Sequence, residues 1–223
     1  MNLLIAAIIP VFIVIIYIYI KDKYEKESKW LLFFNFILGA ILSIIISTIL
    51  YEIHDLFFQE GDKFSIVDQF IKAFFVVALI EEFSKYVIVR YYSQPKKGFN
   101  EPFDGIVYAV MVSMGFAAVE NILYVFKGGF DVALIRAITA IPAHATFGVI
   151  MGYFMGLAKF SNQKRKWNLI GLSLAILAHG TYDFFLFINF IPGISFGAFI
   201  SLFIGIILSR KAIKIHQNNS NFK

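Results

Sequence analysis

The sequence predicts an all-α, polytopic membrane bundle of about seven helices. Hydrophobic residues fill 59% of its 223 positions and charged residues only 16%, whereas soluble domains carry about 45–50% and about 25%. Mean hydropathy is +0.76. The apolar positions gather into runs long enough to cross about 30 Å of hydrocarbon at 1.5 Å per residue. None shows the alternation of a lipid-facing β-strand, and only helices or closed barrels satisfy their backbone in lipid.

The predicted spans are Leu3 to Ile20, Trp30 to Tyr51, Ile66 to Val89, Phe103 to Phe126, Val132 to Ala158, Trp167 to Phe190, and Ile194 to Ser209. The first has no positive charge at its start and no small-residue cleavage site before Lys21, so it is expected to be retained rather than removed as a signal peptide. With no internal repeat, soluble domain or low-complexity linker, residues 1–223 are expected to form one unit.

Basic residues alternate from loop to loop. None precedes Leu3, four lie at Lys21, Lys23, Lys26 and Lys29, and one lies at Lys63. Three follow at Arg90, Lys96 and Lys97, one at Lys127, and four at Lys159, Lys164, Arg165 and Lys166. The turn at 191–193 has none, and the tail has Arg210, Lys211, Lys214 and Lys223. Because positive loops stay in the cytoplasm, the N-terminus is expected outside and the C-terminus inside. The net charge of +5 thus reflects topology in a lipid bilayer and requires no nucleic-acid partner. The absence of cysteine excludes disulfides, thiolate catalysis and cysteine-ligated metal.

Seven ionisable residues fall well inside these spans: Glu81, Glu82, Lys85, Glu120, His144, His179 and Asp183. Each costs roughly 2.5–3.5 kcal/mol at a helix centre unless it pairs or lines a wet cavity, so a shared site at one depth is expected. Lys85 lies four residues from Glu81 and three from Glu82, within reach of both on one face. His179 and Asp183 are also four apart, and a carboxylate beside an imidazole fixes its tautomer or joins it on a metal. Lys72 and Arg136 lie near span ends, where they are expected to snorkel to the interface. His54 and His216 are expected to be solvated. Pro142 is expected to kink the fifth span beside His144, and Gly148, Gly152 and Gly156 to admit a close neighbouring helix. Asn121, beside Glu120, is expected to support the site.

Two carboxylates and two imidazoles suffice to activate water against a peptide bond. In one scheme a glutamate moves the proton while histidines position the water or stabilise the oxyanion. In the other, His144, His179, Asp183 and Glu120 supply ligands for zinc, leaving Glu81 or Glu82 as base. The residue pattern fits both, and it leaves the division of labour between the two glutamates open. His-Glu-x-x-His, Gly-x-Ser-x-Gly and Gly-x-Gly-Asp motifs are all missing from the sequence. Intramembrane Glu, His, Lys and Asp also form proton relays, so a proton-coupled transporter and a non-catalytic immunity or scaffold protein are the alternatives.

Five motifs in order carry a family resemblance: Glu-Glu-Phe-Ser-Lys at 81–85, Phe-Asp-Gly-Ile-Val-Tyr at 103–108, Gly-Phe-Ala-Ala-Val-Glu-Asn at 115–121, Pro-Ala-His-Ala at 142–145 and His-Gly-Thr-Tyr-Asp at 179–183. The chain resembles the PrsW family of bacterial intramembrane proteases, related to prenyl-processing proteases and bacteriocin-immunity proteins. The resemblance implies the first (site-1) cleavage of a single-pass anti-sigma factor in the cell membrane as part of a stress response. It also implies catalytic roles for Glu81, Glu82, His144 and His179. Asp183 stands where the prenyl-protease relatives have an amide, which leaves its role open between ligand and orienter. Ala109 replaces an expected glycine.

Overall fold

The apolar runs fold as helices because lipid offers the backbone no other hydrogen-bond partner. The structure, a computed structural model, describes residues 2–220 and 222; Lys223, counted above in the basic tail, lies outside them. Among these residues α1 is Leu3–Lys21, started by the Asn2 side chain, which accepts from the Leu4 N–H. Helix α2 is the rod Lys29–Phe57, widened to a π-helical stretch at Gly39–Ser43. Helix α3 covers residues 66–93: Ile66–Ile71, a π stretch at Lys72–Ala78, Leu79–Ile88, and a second π stretch at Val89–Ser93. Helix α4 is Pro102–Ile138, opened by a reciprocal Glu101–Asp104 capping box with proline just inside the start. It bends at Gly129, whose φ of 75° and ψ of −161° only glycine adopts readily. Helices α5 (Ala140–Lys159), α6 (Lys164–Phe187) and α7 (Phe196–Asn218) complete the chain.

Five helical stretches among the described residues are long and apolar enough to cross a membrane: Leu3–Lys21, Lys29–Phe57, Pro102–Lys159, Lys164–Phe187 and Phe196–Asn218. Two predicted spans therefore lie in the single 58-residue stretch of α4 and α5, and α3 is not among the five. The apolar 18-residue core of that central stretch is 78% buried against 22–33% for those of the other four. Every residue from 103 to 118 is buried, so α4 is the spine about which the other helices pack.

Glycine makes that packing close. A Cβ on Gly152 would lie 2.3 Å from the Gly105 carbonyl oxygen, and one on Gly156 would lie 2.1 Å from that of Pro102. Gly148 meets Ala109 and Ser113, and the Ser113 hydroxyl donates to the His144 carbonyl at 2.7 Å. Contacts that climb α4 while descending α5 make the pair antiparallel. Across the other face Gly39 meets the Val112 carbonyl and Gly115 that of Phe36. The small-residue spacing at 148, 152 and 156 thus serves the helix contact expected of it.

Three expectations need correction. Pro142 does not kink a helix interior; the chain breaks at Thr139 (φ −121°, ψ −79°) and Pro142 sits in the first turn of α5, where a missing N–H costs nothing. The expected span 132–158 is therefore divided. His216 is not solvated, because α7 runs well past Ser209 and packs it against α5. It is fully buried, its Nε2–H donates to the Tyr153 carbonyl at 2.9 Å, and its ring stacks on Tyr153 at 4.3 Å. His54 is half-buried beside Asp55. Finally, Arg136 does not run to the interface; its partners are described below.

The basic loop between α1 and α2 also buries acid. Desolvation pushes the Asp22 carboxyl up to about 6 and that of Glu27 up to about 7. The cost of filling the glycine contact is testable. Gly152→Val should lower stability by about 1–3 kcal/mol through overpacking, read as a lower unfolding temperature in detergent. Gly98→Ala, whose new methyl would meet nothing nearer than 3.4 Å, should leave it near wild type.

Candidate active site

Between its two π stretches, α3 turns Glu81, Glu82 and Lys85 inward, and all three are buried. The three-residue spacing brings Lys85 Nζ to 2.7 Å from Glu82 Oε1, while Glu81 Oε2 is 3.6 Å away. The lysine therefore belongs first to Glu82. It also donates to His144 Nδ1 at 3.3 Å and lies 4.3 Å from the Phe116 ring centroid. On α6, His179 faces Glu82 Oε1 through Nδ1 at 2.9 Å and Asp183 Oδ2 through Nε2 at 3.2 Å. Carboxylates at both nitrogens are both satisfied only by the ring carrying two protons.

His144 on α5 is held differently. With Lys85 donating to Nδ1, its proton sits on Nε2 and is donated to Glu120 Oε2 on α4 at 2.9 Å. The same oxygen accepts from Arg136 Nη2 at 2.7 Å, and Arg136 Nε donates to Asn121 Oδ1 at 2.7 Å. Asn121 in turn donates to the Ala7 carbonyl, tying this end of the network to α1. Asp183, His179, Glu82, Lys85, His144, Glu120, Arg136 and Asn121 thus form one unbroken line of polar contacts across four helices, with Glu81 beside it.

A cavity of about 700 Å³ opens onto one side of this line. Glu81, Glu120, His144, His179 and Asp183 line it, and Glu82 and Lys85 lie behind the wall. Glu81 Oε1 accepts from the Tyr51 hydroxyl at 3.2 Å, while its buried Oε2 has no hydrogen-bond partner among the described residues. Phe147 stacks on His179 with ring centroids 4.7 Å apart and planes inclined by 15°, fixing the imidazole plane.

Two members of this site were missed in the sequence. Arg136 was set aside as an interfacial cation, yet the bend at Gly129 and the break at Thr139 turn it back onto Glu120. The neighbouring Gly128-Gly129 pair was the available signal of a reversal. Tyr51 ends its apolar run, a place where tyrosine is common at membrane interfaces, and nothing in its own context separates a ligand of Glu81 from an anchor.

An all-helical membrane chain with a buried acid and imidazole cluster facing a cavity has the makings of a membrane-embedded hydrolase. The family described as "PrsW family intramembrane metalloprotease" matches residues 27–209, and the chain belongs to that family. It is 41% identical over 187 residues to the protease PrsW of Oceanobacillus iheyensis, covering 83% of each chain. It is 37% identical over 183 residues to that of Bacillus subtilis, covering 81% of each. Against that of Clostridioides difficile the figure is 37% over 198 residues, covering 85% of this chain and 81% of the other. No solved structure matches the chain significantly. The protein is a peptidase of the bacterial membrane, crossing it more than once, and its substrate is a protein within reach of that membrane.

The family implies a metal, and the residues fit one. One donor atom each from Glu81, Glu120 and His144 lies within 4.8 Å of the other two, Glu81 Oε2 makes no hydrogen bond, and an ion there would displace the proton that His144 Nε2 shares with Glu120. The sequence grouped His144 and Glu120 with His179 and Asp183 as ligands; in the structure the last two pair with each other on the same cavity. Lys85 gives a stability test of the network. Lys85→Met leaves the fully buried Glu82 with one partner fewer and should destabilise the protein by about 3–5 kcal/mol, measured as a fall in unfolding temperature in detergent.

Proposed function

We propose that the chain makes the first cut in a single-pass anti-sigma factor close to the outer membrane face, priming it for a second intramembrane protease. The hydrolytic reading rests on Glu81, which lines the same cavity as Glu120, His144 and His179 and whose Oε2 makes no hydrogen bond. The resemblance of the five ordered motifs supports the choice of substrate. The chain acts as one unit, crosses the membrane seven times, and has its N-terminus outside. Support for that topology comes from the alternation of basic loops and from the antiparallel contact of α4 with α5.

Glu81 takes a proton from the attacking water. Its Oε1 accepts from Tyr51, and its Oε2, 3.6 Å from the Lys85 ammonium, makes no hydrogen bond and can accept. As the carbonyl carbon gains the water oxygen, negative charge develops on the carbonyl oxygen. His179, charged between Glu82 and Asp183, and His144, steadied by Lys85 and Glu120, line the cavity where that charge is stabilised. Glu81 then returns the proton to the leaving amine as the carbon–nitrogen bond breaks. Glu82 does not reach the cavity; it positions His179 and neutralises Lys85. Glu120 and His144 would hold a divalent ion, with Glu81 beside it as the base, and zinc suits a mixed imidazole and carboxylate set. When bound, such an ion supplies Lewis acidity to water and carbonyl. Arg136 holds Glu120 in place.

Cleavage of a reconstituted anti-sigma substrate tests the assignment. Glu81→Gln should lower the rate by about 10²–10⁴-fold with the unfolding temperature held, and His179→Ala should also abolish cleavage. Wild-type rates in both variants would overturn the mechanism. Because the sequence contains no cysteine, topology can be read with single replacements. Lys63→Cys should react with an impermeant maleimide on intact cells, and Lys97→Cys only after permeabilisation; the reverse pattern would overturn the orientation.

A further inference from the structure

A second acid cluster lies at the start of α4, sixteen residues before Glu120. Asp22, Glu25 and Glu27 come from the loop joining α1 to α2, and Asp104 comes from the first turn of α4. One carboxylate oxygen each from Glu25, Glu27 and Asp104 lies within 4.8 Å of the other two. Asp22, Glu27 and Asp104 are no more than 4% exposed. In each of these three, one oxygen is used. Asp22 Oδ2 accepts from the Glu27 N–H at 3.3 Å, and Glu27 Oε2 accepts from the Tyr108 hydroxyl. Asp104 Oδ2 accepts from the N–H groups of Asn100 and Glu101 at 2.7 and 2.8 Å. The remaining oxygens, Asp22 Oδ1, Glu27 Oε1 and Asp104 Oδ1, are buried without a partner, as is Glu25 Oε2. Among the described residues no basic side chain forms an ion pair with any of the four acids.

Buried carboxylate oxygens are costly unless a cation or a donor meets them. Here the used oxygens are held by fixed backbone and phenol donors, Glu25, Glu27 and Asp104 each bring an oxygen to one place, and each also has a buried oxygen without a partner. We infer that Glu25, Glu27 and Asp104 bind a divalent metal ion that clasps the α1–α2 loop to the start of α4. A donor set made only of oxygen selects a hard ion, magnesium or calcium, over zinc. The site is separate from the Glu81, Glu120 and His144 set: Asp104 and Glu120 are sixteen residues apart on α4, about 24 Å along a helix. Glu25, half-buried at the loop, gives the ion its way in. The competing occupant of the cluster is a proton shared between Glu27 and Asp104.

Terbium luminescence distinguishes the two. The full chain is purified in detergent without a metal-affinity tag and carries Glu120→Gln to disable the other metal set. Tyr108, whose hydroxyl contacts Glu27, serves as the antenna for excitation. The expected result is saturable terbium emission, displaced by calcium or magnesium, with a higher unfolding temperature in the displacing ion. Glu27→Gln should weaken terbium binding by about tenfold or more. Glu25→Gln, at the more exposed position, should do the same while leaving the fold intact. The proposal fails if the parent gives no saturable emission, or if emission is equal in the parent and in Glu25→Gln. It also fails if the ions leave the parent's unfolding temperature unchanged while Glu27→Gln raises it, the result expected of a shared proton.

Discussion

A carboxylate with no access to water governs this molecule. Glu82 is fully buried within a helix bundle built for lipid, and it persists there because Lys85 and His179 lie 2.7 and 2.9 Å away. Those two contacts require α3 and α6 to meet at one height. Lys85 extends the requirement to His144 on α5, and His144 extends it to Glu120 on α4. The relative positions of four helices therefore follow from groups that cannot be left alone in hydrocarbon. Apolar packing between helices in lipid is weakly directional by comparison, so polar pairing sets the register and glycine contacts set the distance.

The same physics explains what could be read in the sequence. Glu81, Glu82, Lys85, His144, His179 and Asp183 stood out because each is expensive in the middle of an apolar run. Their convergence followed from that expense. Arg136 and Tyr51 were lost because the rule that exposes a buried charge excuses one near a helix end. Whether a residue near an end turns inward depends on backbone geometry at Gly129 and Thr139, which hydropathy does not record. His216 was lost in the same way, since α7 continues beyond its apolar part and buries polar residues against α5. Hydropathy locates spans and misses what the chain does where they stop.

The two glutamates, equivalent in the sequence, become distinct through a rotation of one residue. On a helix adjacent positions point about 100° apart, so Glu82 meets Lys85 and His179 while Glu81 faces the cavity and Tyr51. Adjacent placement gives one acid two charged partners, both on its Oε1, and sets the other against the cavity. Spacing alone could not assign which was which, because Lys85 is within reach of either.

The wide turns of α3 at Lys72–Ala78 and Val89–Ser93 bracket the segment that carries these groups. A π turn takes up an extra residue that a regular helix would convert into rotation. The angular phase of Leu79–Ile88 is thereby offset from that of both ends of its helix. The offset lets the middle of α3 hold its glutamates toward their partners while the residues before and after it keep a different face of the helix inward.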